Sequence, residues 1–170
     1  TDGLGRLIQT RSPAEDLTKQ VATGAVEFDT RGLVVKQWVP YLDTFSTSYV
    51  PLSLVTGHSS LATVQYAYDA LGRLTSITDP DGATTTTRYD DWSVATTDAN
   101  GHRTTRATDA YGRLIKVEEF NGPEVYTTTY DYDLLNNLTK VTDAKDNVTT
   151  IQYDTLSRKV SMTDPDMGLW

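Results

Sequence analysis

Tyrosine and aspartate recur side by side in this chain. Tyr68 with Asp69, Tyr89 with Asp90, Tyr132 with Asp133 and Tyr153 with Asp154 each set an aromatic face beside a carboxylate. Aromatic faces stack on pyranose rings, so the pairs are candidate sugar platforms. The competing structural reading is that tyrosine fills a sheet face while aspartate caps a turn or pairs with Arg73, Arg113 or Arg158. That reading is preferred, because a residue type present in every repeat is one that every turn needs. A second aromatic set, Trp38, Tyr41, Phe45 and Tyr49, lies outside the repeats and supplies candidate ligand contacts.

Other chemistry is weakly supported. Asp79 and Asp81, echoed by Asp164 and Asp166, begin like a calcium loop, but the third oxygen position and the later glutamate of an EF-hand are missing. His58 and His102 are the two histidines and neither has metal-ligand spacing. A triad built on His58 has no nucleophile elbow to work with. Glu118 and Glu119 are adjacent, so on a strand they face opposite ways and cannot act as an acid and base on one substrate. Asn137 and Asn147 head N-x-T triplets, which arise readily in threonine-rich sequence.

The elements that position these residues are set by a repeat. Tyr68 to Asp90 reads YDALGRLTSITDPDGATTTTRYD, and its terminal Tyr-Asp pairs lie 21 positions apart, as do those ending at Asp133 and Asp154. Three positions after Asp69 comes Gly72, and the same slot holds Gly5, Gly32, Gly112, Asn136 and Ser157. Glycine and asparagine tolerate positive φ, so a tight turn is expected there, and Ser157 must adopt it without that freedom. An outgoing strand (Arg73 to Thr78), an Asp-Pro-Asp-Gly reversal and a threonine-rich return strand follow. Alternate positions differ in polarity: Ile115 and Val117 share one parity, and so do Tyr130 and Tyr132. That pattern predicts antiparallel sheet with unequal faces.

Along the chain the copies are uneven. Asp2 to Arg11 is expected to give a turn and strand, Ser12 to Asp16 a polar turn, and Leu17 to Phe28 a return strand interrupted near Gly24. Phe28 and Asp29 stand in for Tyr-Asp in a degenerate copy whose strand is Leu33 to Val39. From Asp29 to Asp69 is 40 positions, and the surplus, about 38–60, is expected to be a long aromatic loop or a pair of short edge pieces, because Pro40 and Pro51 exclude a central strand. Further on, Trp92 to Thr97, His102 to Thr108, Leu114 to Phe120 and Val125 to Tyr132 are expected strands, the first two joined by a tight reversal at Asp98 to Gly101.

A formal charge of −8, pI near 4.6 and no run of basic residues argue against nucleic acid as a partner. Without cysteine there is no disulfide framework, thiolate metal site or thiol nucleophile. No stretch is long and apolar enough to span a membrane as a helix, and no signal pattern opens the sequence. An apolar fraction of 38% with many threonines predicts a wide, thin sheet with a small core.

YDALGR, DAYGRL, GLGRL and the terminal DPDMGLW resemble the YD repeats of the Rhs family, shared by bacterial polymorphic toxins, the B and C components of Tc toxin complexes, SpvB-like toxins and teneurins. The resemblance spans nearly the whole chain and is weakest from Trp38 to Ser60. It implies a ribbon of β-hairpins that spirals into a hollow shell, enclosing a C-terminal effector in toxin members. The plug, the self-cleaving aspartate-rich terminus and an effector have no counterpart here, so those activities are not carried over.

The expectation is therefore an all-β, curved antiparallel sheet of roughly ten to twelve strands over residues 1–170, a segment of a β-shell with an insert at about 38–60. Because the sequence starts and stops in mid-repeat, it reads as a piece of a longer chain. The expected role is structural and non-enzymatic, without cofactor or metal. Expected partners are flanking repeats and a C-terminal effector, in a parent that the resemblance places outside the cell or at its surface. Tyr68, Asp69, Gly72, Arg73, Tyr89, Asp90, Asp109, Gly112, Arg113, Tyr132, Asp133, Tyr153, Asp154 and Arg158 are the expected structural residues of the repeat. The rival reading is a carbohydrate or cell-surface binding module using the tyrosine-rich face or the aromatic insert. A strand edge left open near Val160 and Met162, with Trp170 unpartnered, is expected to promote self-association.

Overall fold

The computed structural model describes residues 3–48, 50, 55 and 61–169, and it divides into two compact units, 1–85 and 86–170. Every regular element among the described residues is a strand, sixteen in all, against the ten to twelve expected. The excess comes from the N-terminal third, where proline and glycine cut the chain into short pieces.

In the first unit, β1 (Thr10–Pro13), β2 (Lys19–Thr23) and β5 (Tyr41–Thr44) form a small antiparallel sheet in the order β1-β2-β5. A second sheet runs β3 (Val26–Phe28), β4 (Val34–Trp38), β6 (Thr63–Tyr68), β7 (Leu74–Thr78). Three local expectations are corrected here. Ser12 and Pro13 belong to a strand and not a turn; β1 lies at the sheet's edge, where a missing N–H is tolerated. The single return strand expected from Leu17 to Phe28 is two strands in different sheets, broken where Gly24 takes φ 65°. The insert begins inside β4 and continues as β5, an edge strand pairing with β2.

Among the described residues the buried hydrophobic ones are Ala22, Ala25, Trp38, Tyr41 and Val55, with Val50 and Leu61 packed against them. Two of the aromatic residues expected to meet a ligand, Trp38 and Tyr41, are therefore core residues. They fill the gap between elements that sheet hydrogen bonding alone cannot close.

In the second unit the chain runs through β8 (Thr84–Asp90), β9 (Ser93–Thr97), β10 (Arg103–Thr108), β11 (Leu114–Asn121), β12 (Glu124–Tyr132), β13 (Leu138–Thr142), β14 (Val148–Tyr153), β15 (Lys159–Asp164) and β16 (Gly168–Leu169). Each strand pairs antiparallel with the next, in sequence order. No described side chain of this unit is buried, so ladder hydrogen bonds, cross-strand threonine contacts and turns hold it. Among the described residues the outermost strand is β16, which covers Thr163 and Asp164; the Val160 end of β15 pairs with β14 on one side and with no described strand on the other. Trp170 lies outside the described residues.

Candidate functional site

Among the described residues one hydrogen-bonded turn is built eight times. It starts at Asp29, Asp69, Asp79, Asp98, Asp109, Asp133, Asp143 and Asp154. In each, the aspartate N–H donates to the carbonyl four residues on, and the N–H three residues on donates back to the aspartate carbonyl. This is a type I turn closed by a residue at positive φ. That residue is Gly72 at φ 79° in the Asp69 turn, and Asn136 (66°), Asp146 (62°) and Ser157 (60°) where glycine is absent. The ladder register slips at the foot of the turns, between Ala67 and Tyr68, Ala107 and Thr108, Asp131 and Tyr132, and Gln152 and Tyr153. Such bulges increase local twist.

The aspartate side chain completes the turn. Asp69 Oδ1 accepts from the N–H groups of Leu71 and Arg73, each at 2.9 Å, and Oδ2 accepts from Arg73 Nε at 2.7 Å. Asp109 does the same with Tyr111 and Arg113, and Asp154 with Leu156 and Arg158. Asn137 replaces arginine opposite Asp133, Asn147 opposite Asp143, and His102 Nδ1 lies 3.1 Å from Asp98 Oδ2. In the Asp29 turn the position is Leu33, and Arg31 Nε reaches Asp29 Oδ2 instead. The Asp79 turn keeps only the backbone pattern, with Ala83 N–H donating to Asp81.

These contacts hold the carboxylates of Asp29, Asp69, Asp98, Asp109, Asp133, Asp143 and Asp154 below their ordinary pKa. The Arg73 N–H bond is the main cause at Asp69, and the Arg158 N–H bond at Asp154. The Asn137 side chain leads at Asp133. At Asp109 burial pulls upward most strongly, yet the Arg113 side chain and the backbone bonds together outweigh it. With both oxygens engaged, none of these carboxylates is placed as a proton acceptor.

Turns are tied to their neighbours. Tyr68 Oη donates to the Val34 carbonyl and Tyr132 Oη to the Leu114 carbonyl, both at 2.9 Å; each acceptor is the fifth residue after the preceding turn aspartate. Arg31 Nη1 reaches the Asp69 carbonyl at 2.7 Å, Arg113 Nη1 the Asp133 carbonyl at 3.3 Å, and Asn137 Nδ2 the Ser157 hydroxyl at 3.2 Å. The Arg113 guanidinium also lies 5.0 Å from the Tyr132 ring centroid.

Asp90 departs from the set. β8 and β9 join through Asp91 and Trp92, with positive φ at Asp91 (43°), one residue after the aspartate and not three as in the other turns. The Asp90 carbonyl accepts from the Ser93 hydroxyl, and its carboxylate caps no turn; Arg88 Nη2 is 3.9 Å away. Tyr89–Asp90 thus matches the spacing of the motif without its geometry. Thr108 and Phe28 hold the position before a capped turn aspartate where the motif has tyrosine.

Sequence reasoning missed two features. The Asp98 turn, expected as a tight reversal, and the Asp143 turn share the whole Asp69 geometry, carboxylate cap included, which the spacing of aspartate to a positive-φ residue to a polar side chain would have revealed. It also missed a polar cluster in the small sheet. Arg11 Nη1 approaches Asp43 Oδ2 to 2.9 Å with both side chains about nine-tenths buried, but in a charge contact without hydrogen-bond geometry, so Nη1, Nη2 and Oδ2 have no hydrogen-bond partner. Gln9 joins Arg11 Nε to Tyr41 Oη, and buried Gln20 donates to the Thr44 carbonyl. Gln9, Arg11 and Gln20 border a hollow of about 540 Å³ where Phe45 is half exposed. Tyr49, His58, Ser59 and Ser60 lie outside the described residues. Glu118 is bound by Lys116 on β11, next to Glu119 on the opposite face.

A family model described as RHS Repeat matches residues 68–105, 109–147 and 132–166. Among curated proteins none matches in sequence. Among solved structures, the crystal structure of TcdB2-TccC3 is similar, with TM-score 0.76 and 20% identity over 99% of this chain and 10% of that one. A structure of TcdB2-TccC3-Cdc42 and one of a Photorhabdus luminescens Tc holotoxin pore each give TM-score 0.73 at 20% identity, again over 99% of this chain and 10% of theirs. The likeness is one of fold, and the chain spans about a tenth of the length of these structures.

Proposed function

This chain belongs to the RHS repeat family, and we propose that it is a non-catalytic structural segment of a toxin-type shell that encloses a C-terminal effector. The observation that carries this reading is the repeated turn: its aspartates, arginines and asparagines are consumed in holding hairpins and in tying each to the next. A scaffold of this kind needs uniform joints and no reactive group. The fold likeness to structures of TcdB2-TccC3 supports the same setting. In this proposal, Tyr68, Asp69, Gly72, Arg73, Asp109, Gly112, Arg113, Tyr132, Asp133, Tyr153, Asp154 and Arg158 are joint residues, and residues 1–170 form one run of repeats with a divergent stretch at about 38–60. Flanking repeats and the effector are the partners, and the parent acts outside the cell. Burial of Trp38 and Tyr41 weakens the carbohydrate alternative, since neither ring is available for stacking.

The test is protease protection of the region C-terminal to this segment in the full-length protein. It should resist digestion in the parent and become sensitive when Gly72→Val and Gly112→Val open two joints. Equal digestion with and without the substitutions would refute the shell reading.

A further inference from the structure

Asn100 and Asn121 are each followed by glycine, and that pairing has a chemistry of its own. A glycine has no side chain to hinder its backbone nitrogen from attacking the Cγ of the asparagine before it. The reaction needs a reachable side-chain amide, a backbone N–H free to lose its proton, and freedom for the intervening peptide to turn. Both asparagines are exposed and neither side-chain amide is bound among the described residues, so the first condition is met at both. The other two conditions separate them.

Asn100 sits in the capped turn of Asp98. The Gly101 N–H that would have to react donates to the Asp98 carbonyl at 3.0 Å. On either side of it, the Asn100 and His102 N–H groups donate to Asp98 Oδ1 at 2.9 and 2.8 Å. Ring closure there must break the nucleophile's own bond and turn a peptide that is fixed on both sides. Asn121 instead ends β11, and the two-residue connection Gly122-Pro123 returns the chain to Glu124. Gly122 has φ 61°, as the first place of a type II′ turn requires, and it carries its N–H away from the hairpin. That N–H donates to no group among the described residues. Pro123 has no N–H to pin the next peptide, so turning the Asn121–Gly122 peptide disturbs only the last rung of the ladder, Asn121 with Glu124.

We propose that Asn121 is a site of spontaneous covalent modification, and that the capped turn protects Asn100 from the same reaction. The Gly122 nitrogen gives its proton to hydroxide or a buffer base and attacks Asn121 Cγ; the Cγ–Nδ2 bond breaks, and Nδ2 takes a proton from water and leaves as ammonia. Water then opens the resulting succinimide at either carbonyl. Breaking the ring at Cγ gives aspartate, and breaking it at the backbone carbonyl gives isoaspartate, with the chain routed through Cγ. Either product sets a new carboxylate directly opposite Glu124, and like charges facing each other across a rung weaken it. Isoaspartate also adds a methylene to the backbone where β11 and β12, the two longest strands among the described residues, are joined. The inference uses this hairpin alone and is independent of the shell reading.

Peptide mapping by mass spectrometry tests it, following both sites in the 170-residue chain at mildly alkaline pH, folded and in urea. Each site is compared with itself in the unfolded chain, which removes the effect of local sequence. Asn100 should react at least about tenfold more slowly folded than unfolded, and Asn121 about threefold more slowly at most, because the first must open several bonds and the second a single terminal rung. Electron-transfer fragmentation should find isoaspartate at position 121. Asp98→Ala removes the cap and should speed the reaction at Asn100 while leaving Asn121 unchanged. Circular dichroism establishes that the variant keeps its strands, and Asp98→Ser replaces it if it does not. Protection of Asn121 equal to that of Asn100 overturns the proposal, as does an Asn100 that reacts as fast folded as unfolded. A rate at Asn100 unmoved by loss of the Asp98 carboxylate would refute the cap as the source of protection.

Discussion

Replacing Gly72 isolates what the repeated turn costs. Its φ is +79°, and an added Cβ would meet only Leu33 Cδ1, at 3.6 Å, an ordinary contact. Neighbour clashes therefore contribute nothing, and the penalty is that of an L-residue in the left-handed region, about 1–2 kcal/mol. Part is offset because alanine restricts the unfolded chain, a gain of about 0.4–1 kcal/mol. Gly72→Ala should thus lose about 1 kcal/mol. Gly72→Val should lose about 2 kcal/mol or more, since a β-branched residue is a worse fit at positive φ. Gly72→Asn should lose less than either, as Asn136 occupies the corresponding place at φ 66°. Urea unfolding followed by circular dichroism measures these losses. With a slope of about 1–2 kcal/mol/M, the alanine midpoint falls by about 0.5–1 M and the valine midpoint by about 1–2 M. Gly3, with no neighbour within 4 Å of an added Cβ and no positive φ, is the control, and Gly3→Ala should leave the midpoint in place. If alanine, asparagine and valine at position 72 are equivalent, or valine is silent, the strain argument fails.

Ser157 at φ 60° is the converse case: Ser157→Gly should stabilise by about 0.5 kcal/mol, the strain relief exceeding both the extra unfolded-state freedom and the lost Asn137 contact, and a lower thermal midpoint would contradict this. Tyr132→Phe removes the bond to the Leu114 carbonyl and should cost about 0.5–1.5 kcal/mol in urea unfolding, with an unchanged midpoint excluding a role for that hydroxyl in tying turns together. Asp43→Ala leaves Arg11 buried without its counter-charge and should cost about 3 kcal/mol, whereas Arg11→Leu with Asp43→Leu should lie closer to the parent; a double variant as weak as the single one would show that the pair is needed for more than charge balance. Acid should unfold the chain through the turns. Asp29, Asp69, Asp98, Asp109, Asp133, Asp143 and Asp154 all have folded pKa values below the ordinary carboxylate value, so their contribution is complete above about pH 4 and is lost as pH falls through the lowered values. A stability profile that begins to fall near pH 6 would point to histidine and against the turn aspartates.

The hairpins and their turn residues were legible because one local rule generates them. Glycine or asparagine three positions after aspartate fixes the reversal, and alternation fixes the strands on either side, so β7 and β9 to β12 lie within a residue or two of their expected places. Spacing misled where it was read without chemistry. Asp90 lies 21 positions after Asp69, as Asp154 does after Asp133, and serine stands three positions after both; positive φ falls at Asp91 in the one and at Ser157 in the other, and only the Asp154 carboxylate caps a turn. The N-terminal third was less legible because its organisation is non-local. Whether Tyr41 is an exposed platform or a core residue depends on β5 pairing with β2, 20 or so positions away, and no periodicity in the insert announces that pairing.

The aromatic insert and the YD turns solve the same problem by different means. A single-layer sheet buries few side chains, and the second unit buries none of its described ones, so apolar burial cannot fix its strand register. The turns do so instead: with three bonds to each capping carboxylate and a tyrosine or guanidinium reaching the next turn, a one-residue slip would break the cap and the tie together. In the first unit, where β1, β2 and β5 are joined by irregular connections, a five-residue core centred on Trp38 and Tyr41 performs that task. The aspartate of the repeat therefore acts as a register device before it is anything else. Its conversion to a catalytic or metal-binding group would require withdrawing bonds on which its own hairpin depends.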